Sequence, residues 1–386
     1  MVKKGRVAVG MSGGVDSSVA ATLLKEQGYE VTGVYIEAYN EPGCRSDQDR
    51  KDALAVVAHL DLRFKILDLR KEYKEKVVKY FLDEYQAGRT PNPDIVCNRE
   101  IKFGLFYDWA ISRGFDQVAT GHYARITTYK DSPRRDLQGE SFWLQRPRDR
   151  TKDQTYFLWQ VPRKHLEHIL FPLGDMLKSE VRTKAKEIGL PNADKPDSMG
   201  VCMMGELKVE EYLRKQLGEN PGKVVLITKS QKFRSSHKIA QRSELWEQGS
   251  ELRSIGTHRG LWFHTIGQRG GWEMEAKMQK AEMEPLYVVG KDREKNQLIV
   301  GTREETMTNE IGIDLSTPLE MTRKLWIRIR NLGELVAVTQ CHSGTVTLEK
   351  PIFAPAEGQS AVFYDERGRV VGGGVIDTCN LTKNVP

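Results

Sequence analysis

Short apolar runs alternate with amphipathic stretches over the first two hundred residues. Runs at 6–9, 31–36, 64–68 and 117–120 have the length and composition of strands. The stretch 49–60 reads as a helix. So does the stripe Tyr73, Val77, Val78, Phe81, Leu82 and Tyr85, which Gly88 ends. This alternation predicts an α/β domain, a doubly wound parallel sheet with helices on both faces. Such sheets take ligands beyond the carboxyl ends of their strands. Residues 208–284 differ: they are charged, glycine-punctuated and poor in long periodic segments, and 229–253 is polar enough to be partly mobile. From 285 onward the chain reads as short runs at 286–289, 297–301, 325–330, 336–341, 345–348, 360–364 and 370–376. Glycines and charged turns separate them, which predicts an antiparallel barrel or sandwich. The expected organisation is an N-terminal domain over 1–207, a small central domain over 208–284 and a C-terminal antiparallel barrel or sandwich over 285–386.

A chain of 386 residues suits two or three domains. Its net charge of +6 concentrates in 125–152 and 223–259. Clustered basic segments fit a polyanion partner such as nucleic acid, and they equally fit a solvated basic face. No apolar run reaches the ~18 residues of a membrane span. The N-terminus has no apolar core of a signal peptide. No membrane association is therefore expected, and the expected compartment is the cytoplasm. Five cysteines stand at 44, 97, 202, 341 and 379 without a Cys-x-x-Cys pair, which argues against a zinc ribbon. In a reducing compartment they are thiols unless some are catalytic.

The chemistry starts between the first strand and first helix. Gly10-Met11-Ser12-Gly13-Gly14-Val15-Asp16-Ser17 is a glycine- and serine-rich turn running into a helix N-terminus. Backbone N–H groups and the positive end of a helix dipole there suit an anion, such as a nucleotide phosphate. No lysine follows as a P-loop requires, and Gly-x-Gly-x-x-Gly is absent. The order Ser-Gly-Gly-x-Asp-Ser resembles the pyrophosphate loop of ATP pyrophosphatases. That resemblance implies that Ser12, Gly13, Gly14 and Ser17 hold pyrophosphate and that Asp16 helps to hold Mg²⁺.

A second segment, 88–103, carries Pro91 and Pro93, which stiffen the chain and do not sit within a helix. Asn98 then suits the cap of a helix through Phe106 and Trp109. Cys97 would lie beside that N-terminus, where the dipole favours thiolate. Asp94, three residues before it, is placed to pass a proton, although its charge opposes ionisation of a neighbouring thiol. A lone buried cysteine is also an ordinary core residue. Cys202 stands between Gly200 and Gly205, which suggests a bent loop.

With these segments the chain resembles the tRNA-specific 2-thiouridylases over nearly its full length. The resemblance rests on Gly-Met-Ser-Gly-Gly-Val-Asp-Ser, on Gly-Arg-Thr-Pro-Asn-Pro-Asp-Ile-x-Cys-Asn-x-Glu-Ile-Lys-Phe and on Ala-Thr-Gly-His-Tyr. It rests also on Lys152-Asp153-Gln154, Ser198-x-Gly200-x-Cys202, Thr265-Ile266-Gly267-Gln268-Arg269 and Gly358-Gln359-Ser360-Ala361-Val362-Phe363-Tyr364. It implies three domains: an ATP pyrophosphatase domain, a small central domain and a β-barrel. The implied reaction is replacement of the C2 oxygen of the wobble uridine (U34) by sulfur. ATP would adenylate the oxygen so that AMP leaves, with Mg²⁺ neutralising the phosphates.

The resemblance assigns a persulfide to Cys202, loaded by a separate protein sulfur donor. Cys97 would attack it, releasing sulfur and closing a transient Cys97–Cys202 disulfide that a reductant reopens. Asp94 is the candidate general acid/base. Gly10 to Ser17 would line the nucleotide, with Ile36 on adenine and Gly121 letting backbone approach. Asn92, Pro93 and Asp94 would border the target base in the anticodon loop. His122, Lys152, Asp153, Gln154, Arg330 and Gln359 would contact tRNA. An iron–sulfur cluster on Asp94, Cys97 and Cys202 is the alternative to the persulfide. Another adenylating enzyme, or a non-catalytic tRNA-binding protein, is the broader alternative. The chain departs from the family's usual form at Met199, at Met203-Met204, at Gly270-Gly271-Trp272 and at Asn331.

Overall fold

The computed structural model describes residues 4–39, 46–129, 141–197, 209–228, 251–275, 284–315 and 324–377. The N-terminal sheet contains β1 (Arg6–Gly10), β2 (Glu30–Glu37), β3 (Arg63–Asp68) and β4 (Gln117–Ala119). A hairpin of β5 (Arg125–Tyr129) and β6 (Ser141–Gln145) stands apart, and β7 (Ile169–Leu170) closes the sheet. The order β3-β2-β1-β4-β7 is parallel throughout. Strand order reverses between β1 and β4, so the crevice that takes a ligand opens at their carboxyl ends. Helices α1 (Val15–Glu26) and α2 (Ser46–His59) bury Val19, Ala20, Ala53, Val56 and Val57 on one face. Phe103, Phe106, Leu158 and Leu166 cover the other. The doubly wound reading therefore holds, and the four expected strands are all present.

The central sheet has the order β10-β9-β8-β12-β11. Its strands are β8 (Gly222–Thr228), β9 (Glu251–His258), β10 (Glu273–Met274), β11 (Tyr287–Asp292) and β12 (Gln297–Gly301). The boundary expected at 285 is thereby corrected. The runs at 286–289 and 297–301 belong to this sheet, because β12 adds in parallel to β8 and its Leu298 and Val300 share a core with Val224 and Ile255. A short alternating strand carries no mark of the sheet it joins; only its long-range partner decides. Residues 229–250 of the polar stretch lie outside the described residues, and Glu251 begins β9.

The closed barrel starts later, at β13 (Met307–Asp314), a strand absent from the sequence reading. It continues through β14 (Leu325–Arg328), β15 (Val336–His342), β16 (Thr345–Phe353), β17 (Ser360–Tyr364) and β18 (Val370–Ile376). Among the described residues no helix is long and apolar enough to cross a membrane.

His264, in the central domain, is 2 % exposed, and neither ring nitrogen has a hydrogen-bond partner among the described residues. Burial, with the nearby His258 and Lys291, lowers its pKa from 6.5 to about 4. The unfolded chain takes up a proton in that window while the folded chain does not. The stability tied to a neutral His264 is therefore complete above pH 6.5 and lost as pH falls toward 4. The slope is up to about 1.4 kcal/mol per pH unit. Urea unfolding of His264→Phe at several pH values in this window is expected to show a flatter dependence than the parent. An unchanged slope would remove His264 as its source.

Candidate functional site

Beyond β1 the chain turns through Met11, Ser12, Gly13 and Gly14 into α1. Met11 donates its N–H to Val34 O at 2.8 Å, and its side chain is core, as is that of Val15. Gly10 ends β1 against Thr120 and Phe106. Gly13 has φ +73°, and a Cβ there would lie 2.3 Å from Asp49 O, so only glycine fits. Gly14 is the N-cap of α1 and has no side chain to close the first turn. Ser12 Oγ accepts from Gly14 N–H at 3.3 Å and lies 3.2 Å from Ser17 Oγ, which donates to Gly14 O at 3.0 Å. The serines thus shape the turn, while the helix's first amides keep their outward dipole for an anion.

Several residues that sequence reasoning missed surround this turn. Asn192 donates to Gly13 O and to Ser18 Oγ, each at 3.0 Å. Lys195 donates to Gly13 O at 3.2 Å and pairs with Asp49 at 2.7 Å and Asp52 at 2.5 Å. Lys178 reaches both carboxylate oxygens of Asp16, at 2.7 and 2.8 Å, and Asp197 at 2.8 Å. Tyr123 donates to Asp16 at 3.0 Å. Burial and the Asp16 charge raise the Tyr123 pKa, so the phenol stays a donor. Burial alone would raise the carboxyl of Asp197, but the Lys178 and Lys152 ammonium groups overcome it and hold it well below the usual range. Asp16 is thus ion-paired rather than open. The available signals were Tyr123 in the Thr-Gly-His-Tyr segment and the proline-bracketed polar run 191–197.

Gly121 meets α1 itself: a Cβ there would lie 2.6 Å from Ser17 N and from Asp16 C. Its close approach brings β4's carboxyl end against the turn. Ile36, near the end of β2, is partly buried between two apolar clusters. His122 receives a hydrogen bond from, or donates one to, Thr120 Oγ1 at 2.7 Å, with Phe103 and Phe171 rings 5.9 and 6.1 Å away. Burial, reinforced by Lys102, pushes its pKa well down, so the ring is neutral.

The second segment begins its helix earlier than expected. Pro93 is the first helical residue, where its missing N–H costs nothing. The helix runs through Pro93–Val96, Cys97–Leu105 and Phe106–Ser112. Its middle is wide, since Phe106 N–H bonds Ile101 O, five residues back; such wide turns are often found at functional sites. The expected cap at Asn98 is therefore corrected: Asn98 is buried inside the helix and donates to Phe157 O at 3.0 Å. Cys97 is the fifth helical residue and is buried at 6 % exposure among Ile101, Phe81 and Tyr212. Asp94 is half-buried one turn earlier, and burial raises its pKa despite Lys102. Asn92, just before Pro93, is half-buried. Cys202 lies outside the described residues, as does 198–208 around it.

Among the expected tRNA contacts, Asp153 is corrected. It is 0 % exposed and pairs with Arg146 at 2.6 Å and the buried Arg328 at 3.0 Å. It also accepts from Thr155 N–H and Oγ. It thus bolts the N-terminal domain to the barrel, and tRNA cannot reach it. Gln154 accepts from Tyr123 N–H at 2.8 Å, and Lys152 pairs with Asp197 at 2.9 Å. Arg330 is exposed on the barrel, with one guanidinium nitrogen on Ala354 O at 2.6 Å. Gln359 donates to Thr90 O at 2.9 Å and to Pro91 O at 3.2 Å, so it tethers the barrel to the segment before Asn92.

An anion-shaped turn at the switch point of a doubly wound sheet, followed by a small sheet domain and a barrel, defines a three-domain protein whose first domain is of the nucleotide-binding α/β class. Three sequence families match in the same order. They are described as tRNA methyl transferase HUP domain over 5–206, tRNA methyl transferase PRC-barrel domain over 247–302 and Aminomethyltransferase beta-barrel domain over 308–376. Curated relatives named tRNA-specific 2-thiouridylase MnmA are 39% identical. That of Streptococcus thermophilus LMD-9 matches over 97% of this chain and 95% of its own. That of Akkermansia muciniphila covers 97% and 99%, and that of Lactococcus lactis SK11 covers 98% and 96%. The chain belongs to the tRNA-specific 2-thiouridylase family.

Proposed function

We propose that this chain is a tRNA uridine 2-sulfurtransferase that uses ATP to thiolate the wobble uridine. Family membership at 39% identity over nearly the whole chain supports the reaction. The single structural observation that carries it is the Gly13–Gly14 turn at the β1/β4 switch point, where only glycine fits at position 13. Ser12, Gly13, Gly14 and Ser17, with the first amides of α1, hold the β- and γ-phosphates. Ile36 borders adenine. Mg²⁺, where bound, neutralises phosphate charge.

The uridine C2 oxygen attacks the α-phosphorus; the O–P bond forms and pyrophosphate leaves. The Cys97 thiolate attacks the Cys202 sulfur of the persulfide. A Cys97–Cys202 bond forms and the terminal sulfur leaves as hydrosulfide. That sulfur adds at C2 and AMP departs with the former oxygen. A two-electron reductant reopens the disulfide. Asp94, its carboxyl raised by burial, moves the proton. Lys152, Gln154, Arg330 and His122 face tRNA, with Asn92 and Pro93 at the target base.

Full-length protein with ATP, Mg²⁺, a persulfide-carrying sulfur donor, reductant and unmodified tRNA is expected to yield 2-thiouridine by mass spectrometry of digested tRNA. Absence of the product with a donor shown to be active would refute the reading. Iron analysis and an anaerobic absorbance spectrum test the cluster alternative, and a stoichiometric iron content would replace the persulfide. In the same assay Gly13→Ala is expected to lower pyrophosphate release at least about 100-fold, because the turn must shift away from Asp49 and misplace the phosphates. Near-normal release would show that the turn does not hold them.

A further inference from the structure

The loop that feeds the Cys97 helix is held from outside its own domain. Gly88, at φ +73°, ends the preceding helix and opens the loop. Its carbonyl accepts from Lys291 Nζ at 2.9 Å, a side chain of β11 in the central domain. Two residues on, Thr90 N–H donates to Glu357 O at 2.8 Å, and Gln359 donates to Thr90 O and Pro91 O. These last partners belong to the barrel. A Cβ at Gly358 would lie 2.9 Å from Thr90 O, so the barrel backbone presses directly on the loop. Pro93 then starts the helix, and Asp94 and Cys97 follow within its first five residues.

The central domain thus grips one end of the loop and the barrel the other. Lys291 makes this grip without a carboxylate in ion-pair range among the described residues; its partner is a neutral carbonyl. Burial, with Arg293 nearby, lowers its pKa to about 7 against the opposing pull of Glu357. Lys291 is half-buried, and an amine drawn partly out of water for one neutral carbonyl is costly to the fold. Hydrophobic residues would fill the place more cheaply, which points to a role in setting the loop.

We propose that Lys291 is a positioning residue for sulfur transfer: by holding Gly88 O it sets where Asp94 and Cys97 stand relative to the nucleotide turn. The inference rests on the thiolation reading above. It makes the central domain part of the sulfur-transfer machinery, although it supplies none of the reacting atoms. Lys291 acts on the Cys97 helix and not on the turn after β1, so its loss separates the two half-reactions.

The test compares Lys291→Met, Lys291→Gln and Lys291→Arg in the full chain. Lys291→Met is expected to lower the kcat for 2-thiouridine formation by roughly 10- to 100-fold, the scale of a small misplacement of reacting groups. Its tRNA-dependent pyrophosphate release and its KM for ATP should stay within about threefold of the parent, and the rate of Cys97 alkylation by iodoacetamide should change. Lys291→Arg, which keeps a donor, should recover most of the loss, and Lys291→Gln, polar but too short to reach Gly88 O, should reproduce the split if Lys291→Met does not fold. Equal loss of pyrophosphate release and thiolation, or no change in either, overturns the positioning role. The alkylation readout needs no turnover. It therefore tests the position of Cys97 even if the parent protein forms no 2-thiouridine, a result that would instead defeat the functional reading.

Discussion

Cys97→Ser is expected to abolish 2-thiouridine formation, at least about 1000-fold, while the protein still releases pyrophosphate from ATP and tRNA. Serine is nearly isosteric, so the buried site among Ile101, Phe81 and Tyr212 stays filled. What is lost is chemistry. A thiolate attacks sulfur and forms a disulfide, whereas a serine hydroxyl is protonated at neutral pH and forms no bond to sulfur of that kind. The phosphate turn stands on α1, a separate helix, and does not depend on the thiol. Quantifying pyrophosphate and 2-thiouridine in one reaction checks both halves. Retained thiolation would make Cys97 a packing residue. Loss of pyrophosphate release as well would mean that the two half-reactions share Cys97.

Asp153→Ala is expected to lower the unfolding free energy by about 3–5 kcal/mol, the scale of a buried charge left without its partner. Asp153 is fully buried between Arg146 and Arg328, and Arg328 is itself 3 % exposed. Burial opposes the carboxylate charge, but the Thr155 bonds and the two guanidinium groups outweigh it and hold the pKa below its ordinary value. The stabilisation is therefore present above the usual carboxylate range and lost as pH falls through the lowered value. Removing the carboxylate strands two arginines at the contact with the barrel, where Thr155 Oγ1 also lies 3.1 Å from Tyr364 OH. Urea unfolding at pH 7 measures the change. A loss below about 1 kcal/mol would show that water or movement relieves the arginines and that the bolt carries little.

These cases show which parts of the site were legible beforehand. The turn after β1 was legible because its geometry is local: a glycine forced to φ +73° and a helix start lie within eight consecutive residues. The cysteine segment was legible in composition but not in its helix boundary. Pro93 looked like a barrier, yet a proline is tolerated at the first helical position, and Asn98, which looked like a cap, was drawn inside to Phe157 O. Asp153 was expected at tRNA because the family resemblance carries Lys152, Asp153 and Gln154 over together. Its partners are Arg146, seven residues away, and Arg328, 175 residues away.

Read alone, the sequence determined the parallel α/β domain, the glycine-rich turn after its first strand, an antiparallel β-domain at the far end and the cysteines' identity. Each follows from hydrophobic period, glycine conformational freedom or residue chemistry, all of which act over a few neighbouring positions. Only the tertiary structure decided that β11 and β12 belong to the central sheet, that Lys178 occupies Asp16, and that Lys291 and Gln359 clasp the loop before Pro93. Those facts depend on which distant group lies within hydrogen-bonding reach. A charged or polar side chain has the same local signature whether it faces water, tRNA or a buried partner, so its role is set by what the fold brings to it.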